Sequence, residues 1–210
     1  MRRFTLGQKN AIVVGTVLLA VAAWFVVDGI FELRLVDRLK EARPVDMAVD
    51  FSKPGDITAD FRQISSDAHF QALLLELPGR EADNVSALVR PLRLECTISD
   101  TEGFPIRTRT FTGEPDMHTR WTQWRPTPIV IPLVAVPPPA RGNYRLTVHV
   151  TEGSPALAGL PQRLVMRYEI CGLEYLSPQI DIFLGIVLGL IGGVILFFAL
   201  RRRARSPAPA

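Results

Sequence analysis

The sequence predicts an all-β ectodomain, an antiparallel β-sandwich of immunoglobulin or fibronectin-like type, flanked by two transmembrane α-helices. Three observations predict it. Near the C-terminus the nineteen residues IFLGIVLGLIGGVILFFAL, from Ile182 to Leu200, pass without a charge. At about 1.5 Å per helical residue that run crosses roughly 30 Å of hydrocarbon. Near the N-terminus AIVVGTVLLAVAAWFVV, from Ala11 to Val27, is a second uncharged run. Between the two, apolar residues recur at every second position in short segments broken by Gly, Pro and Asp, the pattern of strands with one buried face.

The C-terminal run sets the topology. Arg201, Arg202, Arg203 and Arg205 follow it, and arginines packed against a membrane mark its cytoplasmic side. Ser177 and Pro178 read as a capped helix start, with Asp181 at the positive end of the helix dipole. Two spans with an inside C-terminus put the N-terminus inside as well. The expected organisation is a cytoplasmic N-terminus over residues 1–10, a transmembrane helix over 11–31, a helical stalk over 32–43, a periplasmic β-sandwich over 44–177, a second transmembrane helix over 178–200 and a basic cytoplasmic tail over 201–210. The first run has a second reading. Ala20-Val21-Ala22 resembles a signal-peptidase site, whereas the apolar residues that continue through Trp24, Phe25, Val26 and Val27 favour a retained anchor.

Charge excludes one class of partner. The whole chain carries a formal +3, but residues 44–177 hold 13 Lys and Arg against 16 Asp and Glu, a formal −3. The basic excess lies at the chain ends, where it orients helices, so no nucleic-acid partner is expected. Only three of the 24 basic residues are lysine, and Ala and Pro are abundant, a composition typical of a GC-rich bacterial gene. Cys96 and Cys171 both fall in the ectodomain, where a disulfide persists. They are expected to pair, although Cys171 has the wrong strand parity unless Gly172 marks a bulge or the strand ends there.

Along the chain, residues 32–43 (ELRLVDRLKEAR) place Leu33, Val36 and Leu39 three apart, a helix that Pro44 ends. Val45, Met47, Val49 and Phe51 then alternate with polar residues, and Lys53-Pro54-Gly55 is a turn. Residues 56–63 alternate again. FQALLLEL, from Phe70 to Leu77, is apolar on both faces, as a central strand or a short buried helix would be. Residues 81–89 are polar, a helical turn or a wide loop. Leu92, Leu94, Cys96 and Ile98 share one face of the clearest strand, and Asp100 to Gly103 turns it into residues 104–111 as a hairpin. Residues 128–136 carry two prolines and read as an edge or bulged strand. Two alternating strands follow, one through Tyr144, Leu146, Val148 and Val150, the other through Leu164, Met166, Tyr168 and Ile170.

Phe51-Ser52-Lys53-Pro54-Gly55 after an alternating strand, Arg80-Glu81-Ala82-Asp83 before a long one, and Gly142-Asn143-Tyr144-Arg145-Leu146-Thr147-Val148 followed by Ser154-Pro155-Ala156-Leu157-Ala158-Gly159 together resemble a family of bacterial envelope β-sandwich domains of unknown function. The resemblance covers about residues 45–170. It implies the fold and the compartment, and supplies no catalytic residues. Members are secreted or lipid-anchored. Here no lipoprotein cysteine follows the first apolar run, so the helices must anchor the chain.

No catalytic or metal-binding constellation is expected. His69, His118 and His149 lie in three different segments, with no HExxH, GxSxG, P-loop or GxGxxG motif. His149 points outward from its strand. Asp46 with Asp50, and Asp56 with Asp60, share strand faces as solvated sheet residues commonly do, and a calcium site there is the sharper but weaker reading. No cofactor is expected.

Two features stand above this background. Gly185, Gly189 and Gly193 recur every four residues, a ridge on which another helix packs closely because Gly leaves the backbone bare. Its partner is either the first helix, through Gly15 and Ala22, or a second copy, which would make a homo-oligomer. In the irregular segment MHTRWTQWR, Trp121 and Trp124 lie between Arg120 and Arg125, a hot-spot composition for a partner contact if the indoles are exposed; otherwise they cap the core.

The expected protein is therefore a non-enzymatic, integral bacterial inner-membrane protein whose periplasmic sandwich is a binding or interaction module for a protein partner in the periplasm or membrane. The alternatives are an immunity or inhibitor protein against a toxin, and an accessory subunit of an envelope transport or assembly complex.

Overall fold

The computed structural model describes residues 6–66, 70–77, 85–114, 129–170 and 172–205. The chain divides into two compact units, Arg38–Cys171 and the pair Met1–Asp37 with Gly172–Ala210.

Among the described residues, the first of these units holds eight strands: β1 (Val45–Ala48), β2 (Gly55–Gln63), β3 (Phe70–Leu77), β4 (Arg93–Ser99), β5 (Pro105–Phe111), β6 (Ile129–Val136), β7 (Gly142–Glu152) and β8 (Arg163–Glu169). A short helix α2 (Val85–Val89) precedes β4, and a 3-10 turn, Pro155–Leu157, precedes β8. All ladders are antiparallel, and they form two four-stranded sheets, β1-β8-β3-β6 and β2-β7-β4-β5. The expected sandwich is present, but not in the immunoglobulin or fibronectin-like strand order. That order keeps the first two strands in one sheet, whereas β1 and β2 lie in different sheets. The first strand pairs with the eighth, the second with the seventh, the third with the sixth and the fourth with the fifth. This nested pairing is a jelly roll. Strand number and turn spacing are common to both arrangements, and only the ladder partners separate them.

Most strands lie where alternation put them. β3 is central in its sheet and buried on both faces, as its uninterrupted apolar sequence requires. β6 is an edge strand whose register shifts opposite Leu73 and Leu74, so Pro132 sits where a missing N–H is tolerated. In the β4–β5 turn, Asp100 Oδ1 accepts from the N–H groups of Glu102 and Phe104, each at 2.9 Å, and Gly103 takes φ 90°. β1 is shorter than the expected strand. It stops at Ala48; one more ladder bond follows, from the Val49 N–H to the Gln162 carbonyl, and Phe51 then turns into the core with its N–H on the Gln162 side chain.

The inner faces pack Leu73, Leu75, Ile98, Ile131, Leu146 and Leu164 into one core, each at most 2% exposed. Polar residues close both ends of it. At the end shared by the close of β1 and the start of β8, buried Gln162 accepts from the Phe51 N–H at 2.8 Å and donates to the Leu157 carbonyl at 2.9 Å. Ser154 donates through its hydroxyl to the Leu88 carbonyl at 2.6 Å, and its N–H reaches the Phe51 carbonyl at 2.8 Å. At the opposite end Gln71 Nε2 donates to Gln63 Oε1 at 2.6 Å, and the Ile64 N–H donates to the Tyr168 hydroxyl at 3.1 Å. Burial raises the Tyr168 phenol above its ordinary value.

Among the described residues, the second unit consists of helix α1 (Leu6–Glu41) as far as Asp37, and helix α3 (Leu173–Arg205). Both outrun their expected limits. The apolar run and the expected stalk are one continuous helix of 36 residues, because the run and the Leu33–Val36–Leu39 stripe share the helical period. α3 starts five residues before Pro178 instead of capping on Ser177. Its start is made by Gly172, at φ 94°, whose N–H donates to the Glu174 carboxylate at 3.1 Å. A carboxylate near the first turn satisfies a donor that the helix leaves open.

Candidate functional site

α1 and α3 meet along a seam of small side chains. The buried positions of α1 through its apolar stretch are Gly15, Ala22 and Gly29, followed by Val36. Those of α3 are Pro178, Gly185, Gly192 and Ala199. Both sets recur every seven residues, the repeat that keeps one stripe of a helix against a partner in a left-handed coil. The contacts run antiparallel. A Cβ on Gly29 would lie 2.7 Å from the Pro178 carbonyl oxygen, one on Gly185 2.8 Å from the Ala22 carbonyl oxygen, and one on Gly192 3.0 Å from the Gly15 carbonyl oxygen. These are backbone approaches that a side chain cannot relieve by turning aside, so the seam requires glycine there.

The expected glycine ridge is thereby corrected at one position. Gly185 and Gly189 face α1, with a Cβ on Gly189 3.6 Å from that of Ala22, but nothing lies within 4 Å of a Cβ on Gly193. Gly192 takes its place. Steps of four residues drift about 40° around a helix each time, whereas alternating steps of four and three nearly return to the same line. The partner of the ridge is the chain's own first helix, through Gly15 and Ala22. That the seam repeats by seven is visible in the sequence once Gly15, Ala22 and Gly29 are set beside Gly185, Gly192 and Ala199.

Away from the seam the helices expose large apolar side chains. Trp24, Phe31, Phe183 and Leu190 are each more than 60% exposed, and Val13, Val17, Ile186, Val194 and Phe197 more than half. Both helices are long and apolar enough to cross a membrane. At one end the Tyr175 hydroxyl donates to Asp37 at 3.1 Å. At the other, the Arg201 guanidinium lies 5.8 Å from the centre of the Phe197 ring. α3 continues through Arg202, Arg203 and Arg205.

In the sandwich, the outer face of the β2-β7-β4-β5 sheet is a polar array in cross-strand rows. Thr58, Thr147, Thr97 and Thr108 stand in register across all four strands, and the last two hydroxyls are 3.1 Å apart. On one side lies the row of Asp56, His149 and Glu95, with Asp56 Oδ1 2.5 Å from His149 Nδ1. On the other, Arg145 holds Asp60 through Nε at 2.8 Å and Nη2 at 3.3 Å, a fork that keeps the carboxyl below its ordinary value. A shallow cleft of about 400 Å³ adjoins this pair, lined by Asp60, Arg62, Asp100, Thr101, Asn143 and Arg145. The other sheet carries an ion network in which Arg163 binds Asp46 at 2.6 Å and Arg43 reaches both Asp46 and Glu76, while Arg167 pairs with buried Glu76.

The four aspartates read as two carboxylate pairs are thus each engaged by a different neighbour. Arg163 takes Asp46, Ser52 and Lys53 take Asp50, His149 takes Asp56 and Arg145 takes Asp60. No three His, Cys, Asp or Glu converge on a metal position among the described residues. His149 points outward as expected; His69 and His118 lie outside the described residues. So do Arg120, Trp121, Trp124 and Arg125.

Cys96 is a free thiol, and the pairing expected for it involves a residue outside the described ones. Cys96 sits in the middle of β4, facing the core opposite Val148 in the ladder. Burial pushes its pKa up to about 12. Cys171 itself lies outside the described residues.

No protein-family model matches the chain, and no curated protein matches it. Among solved structures it is similar to the crystal structure of a protein from Sulfurospirillum deleyianum, at 8% identity and a TM-score of 0.41, covering 61% of this chain and 98% of that one.

Proposed function

We propose that this protein is an integral protein of a bacterial inner membrane, in which the α1–α3 hairpin spans the bilayer and presents the jelly roll as a binding module in the periplasm. One observation carries the reading. Through their apolar stretches the two helices bury a seam of small side chains that repeats every seven residues, and they turn most of their large apolar residues outward. Water would favour the reverse arrangement, with the large apolar side chains hidden. Lipid removes that driving force and leaves close backbone packing to join the helices. The seam also favours a retained first helix, since cleavage after Ala22 would remove Gly15 from Gly192.

A binding role is supported by the polar sheet face, where threonines and paired charges stand in flat cross-strand rows. Two of its carboxylates are already paired, Asp56 with His149 and Asp60 with Arg145. The resemblance to envelope β-sandwich domains belongs to the same proposal. The test is alkaline carbonate extraction of membranes followed by affinity recovery from crosslinked cells. The reading expects the full chain to stay in the membrane fraction and a periplasmic or membrane protein to be recovered less well from a Thr97→Arg/Thr147→Arg variant. Extraction of the chain into the soluble fraction would refute it.

A further inference from the structure

We propose that the chain forms a twofold dimer in which β2 pairs antiparallel with β2 of a second copy about Ala59, joining two four-stranded sheets into one of eight. The sandwich has four edge strands, and three of them carry devices that discourage pairing with another chain. β1 has only four residues. β6 carries Pro132 at a register shift. β5 carries exposed Arg107 and Arg109 at the positions opposite the core residues Ile98 and Cys96, charges on the edge that discourage pairing. β2 has none of these. Its nine residues pair one-to-one with β7 without a bulge, and no strand pairs with its other side among the described residues.

What β2 presents is self-complementary. Antiparallel pairing of the whole strand with itself is centred on Ala59 and sets residues whose numbers sum to 118 opposite one another. Asp56 then faces Arg62 of the second copy, and by symmetry this contact occurs twice, while Thr58 faces Asp60. Shifting the register by two residues either way puts Asp56 opposite Asp60 or Asp60 opposite itself, which like charges in directly opposed positions disfavour. Arg62 is exposed and makes no ion pair among the described residues, so its charge is available.

The inward residues agree. Ile57 and Ala59 of β2, with Met47 of β1 and Val49 just after it, are only partly buried along this flank. In the dimer Ile57 meets Phe61 of the second copy and Ala59 meets its own mate, which covers that strip. The interface is isologous and closes on itself, so it yields a dimer and not a filament.

Sedimentation equilibrium of the full chain in mild detergent tests this. The wild type is expected to be dimeric. Asp56→Arg and Arg62→Asp should each weaken the dimer at least about tenfold, because each replaces two opposite-charge contacts by two like-charge ones. The combined Asp56→Arg/Arg62→Asp chain restores both contacts and should recover the wild-type constant within about threefold. A second measurement does not depend on charge. With Cys96 and Cys171 replaced by Ser, Thr58→Cys should be joined to its mate by a thiol crosslinker of about 8 Å reach, the diagonal separation across such a pair. A monomeric wild type, single variants that dimerise normally, a double variant that does not recover, or absence of the Thr58→Cys crosslink would each overturn the proposal.

Discussion

Gln162 holds the Phe51 backbone N–H at 2.8 Å from 111 residues away in the chain. The same amide donates to the Leu157 carbonyl, so one buried side chain fixes the turn that leaves β1 and the turn that enters β8. Gly153 packs beneath them, where a Cβ would lie 2.4 Å from the Lys53 nitrogen. Two of the motifs that carried the family resemblance, Phe51 to Gly55 and Ser154 to Gly159, are therefore the two halves of one structural clasp.

Gln162→Leu should destabilise the sandwich by about 1–3 kcal/mol, since it leaves the buried Phe51 N–H and Leu157 carbonyl without that partner. Urea unfolding followed by tyrosine and tryptophan fluorescence measures it. A variant as stable as the parent would mean that water satisfies both groups and that the clasp is not a fastening.

The helical seam predicts a disulfide. A Cβ on Gly189 lies 3.6 Å from that of Ala22, within the usual separation across a disulfide of about 3.5–4.5 Å. With Cys96 and Cys171 replaced by Ser, Ala22→Cys/Gly189→Cys should therefore oxidise readily within one chain. Adding Gly185→Ile should abolish the crosslink by forcing the backbones apart, whereas adding Gly193→Ile should leave it. Equal effects of the two isoleucines, read on non-reducing gels after cleavage between the helices, would contradict the seven-residue seam.

For Cys96, burial and a pKa near 12 keep the thiol protonated at neutral pH, and only the thiolate attacks. In a Cys171→Ser chain, alkylation at pH 8 should run at least about a thousandfold slower than after unfolding, given a thiolate fraction on the order of one in ten thousand. Mass spectrometry of timed samples checks this, and fast labelling of the folded chain would place Cys96 outside the core.

The elements were legible because most strands repeat by two or, like β3, are apolar throughout, and each long helix is uncharged over its central length. β3 shows this best: FQALLLEL has no polar face and is buried on both sides. Ladder partners were not legible, because the alternation that turns Leu146 and Ile98 inward is the same in a jelly roll and in an immunoglobulin sandwich. Helix ends were misplaced where a local signal competed with a distant one. Ser177-Pro178 reads as a helix start, but Gly172 and Glu174 make the real one. The seam was half legible. Gly192 and Gly193 are adjacent, and the choice between them follows from where Gly15 lies on another helix.

The central claim is that the hairpin crosses a membrane with both chain ends on one face and the sandwich on the other. It is tested most directly by fusing a reporter enzyme, active only in the periplasm, at two places in the full chain. One insertion goes at the exposed Glu102–Gly103 turn, where nothing lies within 4 Å of a Cβ on Gly103, and the other follows Ala210. Activity from the turn insertion and silence from the C-terminal fusion are predicted. Activity from the C-terminal fusion, or silence from the turn insertion in a chain that is stably present, would contradict the account.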